Sequence, residues 1–186
     1  MNAGIVISTI IGGLLLLSVF ILGTRVTQSA DQTAMNNMAK TEVESISQYV
    51  GFDFDKIGYK ATVFPILKAK KHMFTFLGDV NGDGICDTVT WKYGPDNTGQ
   101  SNYAHGNHPI FHIVDGVSTK IDRDVVSLEI VYILSDGTET NNPKTKEVDQ
   151  IKKIRVTMTC QLPAATGEEP QIATWQRTIV PANLQL

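Results

Sequence analysis

The segment Asp79-Val80-Asn81-Gly82-Asp83-Gly84-Ile85-Cys86-Asp87 carries the densest set of potential ligand atoms in the chain. Oxygen-bearing side chains stand at relative positions 1, 3, 5 and 9, as Asp79, Asn81, Asp83 and Asp87. Gly84 holds position 6, where a sharp turn is needed, and the Ile85 carbonyl falls at position 7. That spacing is the one a calcium loop uses, because Ca²⁺ collects six to eight oxygens from a tightly wound backbone. The twelfth position is Thr90, where a calcium loop would place a bidentate glutamate. Asp55, Asp96, Asp115 and Asp122 are further carboxylates that a cation shell would have to recruit. The competing reading is a tight Asn-Gly and Asp-Gly turn joining two strands. Ca²⁺ is therefore a candidate cofactor, and its role would be to brace the fold, not to catalyse.

Two other sets of residues bear on chemistry. His105, His108 and His112 cluster in sequence, but Pro109 breaks any helix that would align them on a metal. Surface or strand-pairing histidines are the default expectation. The two cysteines, Cys86 and Cys160, allow one disulfide in an exported domain, with two buried thiols as the alternative. Neither cysteine sits in a nucleophile motif with a histidine partner, and no glycine-rich phosphate loop follows a strand. The formal net charge of −3 lacks the basic stripe that nucleic acid requires. These features nominate no enzyme.

The elements that must position these residues begin with an uncharged stretch. Residues 3–23 contain no Asp, Glu, Lys or Arg. About 20 such residues are enough for a helix to cross the hydrocarbon of a bilayer. Met1 and Asn2 supply no basic flank, and the apolar core is longer than that of a secretory signal. Gly4, Ser8 and Gly12 recur every four residues and form a small-residue stripe, which lets helix backbones approach closely in an apolar medium. The helical period then continues without a proline until Pro65. Val26, Ala30, Ala34 and Met38 are spaced by four, with Met35, Ala39, Val43, Ile46, Val50 and Ile57 beside them. A helix reaching Asp55 would be roughly 80 Å long at 1.5 Å per residue. Gly51 or Gly58 is the expected stop.

From residue 61 the period becomes two. Strands are predicted over residues 72–77, 86–93, 124–134, 151–162 and 174–180, separated by Asn-Gly, Asp-Gly and proline turn signals. The predicted inward face of the third is Val126, Leu128, Ile130, Tyr132 and Leu134; that of the fourth is Ile154, Val156, Met158, Cys160 and Leu162. Residues 94–109 read as a polar loop. The fold class is thus α+β: a long N-terminal helix, apolar then amphipathic, packed on an antiparallel meander. The expected division is 1–24 for the apolar membrane or assembly helix, 25–57 for its amphipathic continuation and 58–186 for a β-rich head.

In this order the elements resemble type IV pilins and the pseudopilins of type II secretion, closest to their larger minor subunits. The stretches that carry the resemblance are FDFDKIGYK (52–60), FTFLGDVNGDGICDTVTWKYG (74–94), VVSLEIVYILSDG (125–137), IKKIRVTMTCQL (151–162) and RTIVPANLQL (177–186). The resemblance implies a non-enzymatic subunit that waits as a single-pass protein in inner-membrane lipid. It then joins copies of itself, and other pilin-like subunits, in a helical filament at the cell surface. Two departures stand out. The family's short basic leader is absent ahead of the apolar run, which implies numbering from a mature end or insertion without cleavage. Where the family places a glutamate at the fifth position, to pair with a neighbour's N-terminal amine, this chain has Ile5. The alternative, from another functional class, is a monomeric membrane-anchored surface binding module braced by calcium.

Overall fold

Helix α1 runs unbroken over Ala3–Asp55. Its interior holds no proline, and its hydroxyl side chains bond back to the helix's own carbonyls. Thr9 Oγ1 donates to Ile5 O at 2.6 Å, Ser18 Oγ to Leu14 O at 2.8 Å and Thr27 Oγ1 to Gly23 O at 3.1 Å. Such bonds remove the cost of placing a hydroxyl in an apolar medium. The computed structural model describes residues 3–94, 108–121, 125–162 and 171–184. The chain divides into two compact units, Met1–Met38 and Ala39–Leu186, with the division inside α1.

In the first unit, every described residue is exposed except Gly12 and Met35, which are intermediate. By length and composition α1 could cross a membrane, and none of its apolar window is buried.

In the second unit, α1 buries Ala39, Val43, Ile46, Val50 and Phe54, the spacing of four, three, four and four that one helical face requires. The helix passes through Gly51 and gives way to turns in which Lys56 N–H bonds to Asp53 O and Ile57 N–H to Phe54 O. Gly58 follows at φ +77°, and a Cβ there would meet Asn183 Cβ at 2.8 Å and Asn183 O at 2.9 Å. Only glycine satisfies both demands. Gly51 was the other expected stop, but it stays helical and faces Arg177 instead.

The strands form two antiparallel sheets instead of one meander. The first is five-stranded and strictly sequential: β1 (Ile66–Lys70), β2 (Met73–Gly78), β3 (Asp87–Tyr93), β4 (Ile110–Val114) and β5 (Val117–Ile121). The second contains β6 (Val125–Leu134), β7 (Glu139–Thr140), β8 (Ile151–Leu162) and β9 (Gln171–Ile179), in the order β7-β6-β8-β9. The sheets are tied along β6. Ile130 N–H bonds to Lys71 O at 2.9 Å, His72 Nδ1 to Leu128 O at 2.7 Å, and Tyr132 Oη to Lys70 O at 2.9 Å. Burial pushes the Tyr132 phenol well above its ordinary pKa, so it remains a neutral donor.

The core sits where α1 and both sheets meet. Phe54 lies 5.2 Å from Phe74 and 5.7 Å from Phe76, and Phe74 lies 5.7 Å from Tyr132, centroid to centroid. The predicted inward face of β8 is buried at Ile154, Val156, Met158 and Cys160; the Leu162 side chain lies outside the described residues. In β6 the inward residue at the start is Val125, not Val126. A bulge between Val125 and Ser127 causes this, because one extra residue reverses which side chains point inward. Residues 95–107 of the predicted polar loop lie outside the described residues.

Candidate functional site

The Asp79–Asp87 segment forms the connection between β2 and β3, whose ladder ends at Gly78 opposite Asp87. Its side chains turn back onto its own backbone. Asp79 accepts from Gly82 N–H at 2.6 Å and from Gly84 N–H at 3.0 Å. Asp87 accepts from Val80 N–H at 2.9 Å, while Asp83 accepts from Ile85 N–H at 2.7 Å. The Asn81 amide donates to Asp83 at 3.1 Å and to Asp87 at 3.3 Å, and its oxygen accepts from Asp83 N–H at 2.8 Å. Gly82 and Gly84 take the left-handed backbone that so tight a winding needs, at φ +81° and +88°. Asp79 and Asp87 are each only 2% exposed, so these N–H bonds are what makes their burial tolerable. Lys56 reaches the same loop from beyond α1 and donates to Val80 O at 2.9 Å.

The further carboxylates named for a cation shell are engaged elsewhere or not described. Asp55 pairs with Arg177 at 3.2 Å, and Asp115 accepts from Thr88 N–H at 2.8 Å. Asp96 and Asp122 lie outside the described residues. Thr90, at the twelfth position, bonds to Thr75 across the β2–β3 ladder at 2.9 Å. Among the described residues, no three histidine, cysteine, aspartate or glutamate side chains come together as a metal site. What the loop does with its oxygens in this structure is hold its own turn.

Cys86 and Cys160 are both free thiols, so the bridge weighed from the sequence is not formed. Cys86 precedes β3 of the first sheet, whereas Cys160 is buried in β8 of the second, between Val125 and Ala173. Burial raises the Cys86 pKa, and the carboxylates of Asp87, Asp115 and Asp79 raise it further. That environment keeps the thiol protonated and a poor nucleophile.

The histidines separate by role. His105 lies outside the described residues. His108 stands edge-on to Tyr93, with ring centroids 5.7 Å apart. His112, on β4, meets a group that sequence reasoning missed. Asp53, in the last turn of α1, is 3% exposed. Its Oδ2 accepts from the Trp91 indole N–H at 2.9 Å and lies 2.8 Å from His112 Nε2. The His112 ring tilts over Trp91, 4.7 Å between centroids. A sequence signal for Asp53 did exist. It follows Val50 by three residues and adjoins Phe54, which puts an acid on the apolar face of the helix.

Concave surface is found in both units. In the second, a groove of about 580 Å³ runs between Val43, Ser47 and Gln48 of α1 and Ile172, Thr174 and Trp175 of β9. A smaller recess of about 310 Å³ has His112, Tyr49 and Lys120 in its wall. In the first unit, Gly4, Ser8 and Gly12 line one open notch on α1, with Thr9 and Leu16 at its rim. Apart from the helix's own neighbouring backbone, nothing lies within 4 Å of where a Cβ on Gly4 or Gly12 would stand.

Fold and site together define an α+β protein with one long, apolar N-terminal helix and two antiparallel sheets. No protein-family model, curated protein or solved structure matches the chain.

Proposed function

We propose that the chain is a structural subunit of a pilus-like filament, assembled through its N-terminal helix. The observation that carries this reading is the exposed, uncharged stretch of α1 over residues 3–23, notched on one face by Gly4, Ser8 and Gly12. So much bare apolar surface needs an apolar environment, and two environments supply it. Lipid is one. The same segment of neighbouring copies is the other, and the notch permits close backbone approach there. At about 25 cal/mol per Å², a few hundred Å² covered per subunit contributes several kcal/mol before ordering costs. A head-to-tail contact that does not close into a ring grows into an open fibre. Ile5, in place of the glutamate seen in the pilin family, means that register in such a fibre would come from packing and not from an ion pair.

Electron microscopy of the purified full-length protein, released from detergent, tests the proposal. Wild type should give fibres, and Gly12→Arg should give none while its head keeps the same melting temperature. Monodisperse wild-type particles at every concentration would refute the filament reading.

A further inference from the structure

Sheet order leaves four strands at an edge: β1, β5, β7 and β9. Two of them have little edge to offer. Lys70 O of β1 already accepts from Tyr132 Oη of β6, and β7 is two residues long. Proline, lysine and bulges are the usual devices that blunt an edge strand. The nine residues of β9 contain neither proline nor lysine, and the β8–β9 ladder has no bulge. The one charge on β9, Arg177, is paired with Asp55. Every second residue of such a strand turns its N–H and C=O away from its partner. Among the described residues, no backbone hydrogen bond outside the β8 ladder reaches β9. The five-residue β5 ends the other sheet beyond β4.

Both edges flank the same stretch of α1. At about 3.6 residues per turn, Lys40, Glu44 and Gln48 lie on one side of the buried stripe of Val43, Ile46 and Val50, and Ser45 and Tyr49 on the other. The first set walls the groove against β9; the second walls the recess against residues 119–121 of β5. The two edges run in opposite senses. β9 meets Asp55 at Arg177, and the chain beyond it meets Ile57 O at Asn183, so β9 runs with α1. β4 passes Asp53 at His112, and in the turn that follows Asp115 accepts from Thr88 N–H, one residue past Asp87. Asp87 in turn holds Val80 N–H, and Lys56 holds Val80 O. β4 therefore runs with α1 too, and β5 returns against it. Thr119 is opposite His112 and so level with Asp53, while Arg177 is level with Asp55.

We propose that copies of this chain join side by side, β5 of one pairing antiparallel with β9 of the next. Copies inserted in one bilayer in the same sense, or aligned along one fibre, stand the same way up. The two edges then meet at one level, in the senses that an antiparallel ladder needs. Equal level sets Thr119 opposite Arg177 of the next copy, Ser118 opposite Thr178 and Lys120 opposite Gln176. Thr119 and Ile121 share the α1-facing side with His112 and enter the groove beside Trp175 of the next copy. Each copy offers both edges, so the contact is heterologous and repeats from copy to copy. It rests on the self-association proposed above but not on the fibre, because lipid alone can set copies side by side.

Cysteine cross-linking of the full-length protein in phosphatidylcholine vesicles tests this, in a Cys86→Ser background. Ser118, Lys120, Gln176 and Thr178 are all exposed in the single chain. Ser118→Cys and Thr178→Cys chains, reconstituted together and oxidised, should give a disulfide dimer, and either chain alone should not. Lys120→Cys mixed with Gln176→Cys, the next outward pair, should behave alike. Thr119→Lys sets like charges opposite each other and should lower the mixed yield about threefold, whereas Thr119→Glu should not. Both should keep the melting temperature of the head, since Thr119 is exposed there. Failure of both mixed pairs to cross-link, or equal yields from single and mixed chains, would overturn the edge contact. Cross-linking of the mixed pairs by a protein that never yields fibres would keep the contact and refute the fibre alone.

Discussion

Two phenylalanines in one helix show how differently the two units use the same chemistry. Phe20 lies in the first unit and is 70% exposed; Phe54 lies in the second and is fully buried. Leu16, Leu17, Val19 and Ile21 beside Phe20 are bare as well, so sequence hydrophobicity there marks an unmet need for an apolar environment. Around Phe54 the need is met inside the molecule by Phe74 and Phe76. Apolar residues at helical spacing thus carry opposite meanings, depending on whether the chain supplies their partner.

The largest expected effect follows from that contrast. Phe54→Ala should lower the unfolding free energy of the head by about 3–5 kcal/mol, the range for deleting a buried aromatic ring. Phe20→Ala should leave the same denaturant transition unmoved, within about 0.5 kcal/mol. Equal losses from the two substitutions would abolish the distinction between the units.

A second contrast lies within the head, between the apolar core and the loop that closes β2 onto β3. The core loses contacts when cut, whereas the loop loses hydrogen bonds. Asp79→Ala would remove the charged acceptor that the Gly82 and Gly84 N–H groups share and leave them to water. The expected loss is about 1–3 kcal/mol, less than for Phe54→Ala, and is read by the same denaturant titration. Asp79→Asn keeps one acceptor oxygen and should recover part of it. A loss as large as that of Phe54→Ala would mean that the loop, and not the aromatic cluster, organises this end of the head.

Much of this architecture was legible in the residues. The helix could be followed to Asp55 because no proline interrupts it, and most of β8 because strict alternation over residues 154–162 has one interpretation. The second sheet was not legible. Period two gives each strand an inside and an outside but does not say which sheet it joins. Strands β1, β4 and β5 are each five residues long and offer too few alternations to register. The inward turn of Val125 was hidden for a related reason, since a bulge changes parity without changing composition. At the candidate site, the Asp79–Asp87 spacing was visible because its geometry is local. The Asp53–His112–Trp91 group was invisible as a unit, because its members come from α1, β4 and β3 and only folding brings them together.

The smallest effect concerns the exposed face of the second sheet, where Arg155 of β8 reaches Glu139 of β7 in a two-pronged pair at 2.6 and 2.9 Å. The arginine holds the Glu139 carboxyl below its usual pKa, chiefly by hydrogen bonding, and the glutamate raises that of Arg155 in turn. A carboxyl whose folded value is depressed stabilises the fold above its unfolded value, and that contribution is lost as pH falls through the folded one. The loss therefore begins below the ordinary glutamate value of about pH 4.3. Solvent reaches both partners, so screening leaves little of the pair's attraction. Arg155→Ala should accordingly leave the melting temperature near neutrality almost unchanged and make its decline below pH 4.3 slightly shallower. High salt should erase even that difference. A marked drop at neutral pH would instead mean that β7 depends on this pair for its place beside β6. With only Tyr132–Thr140 and Ile133–Glu139 in register there, β7 is the strand with the least backbone pairing to fall back on.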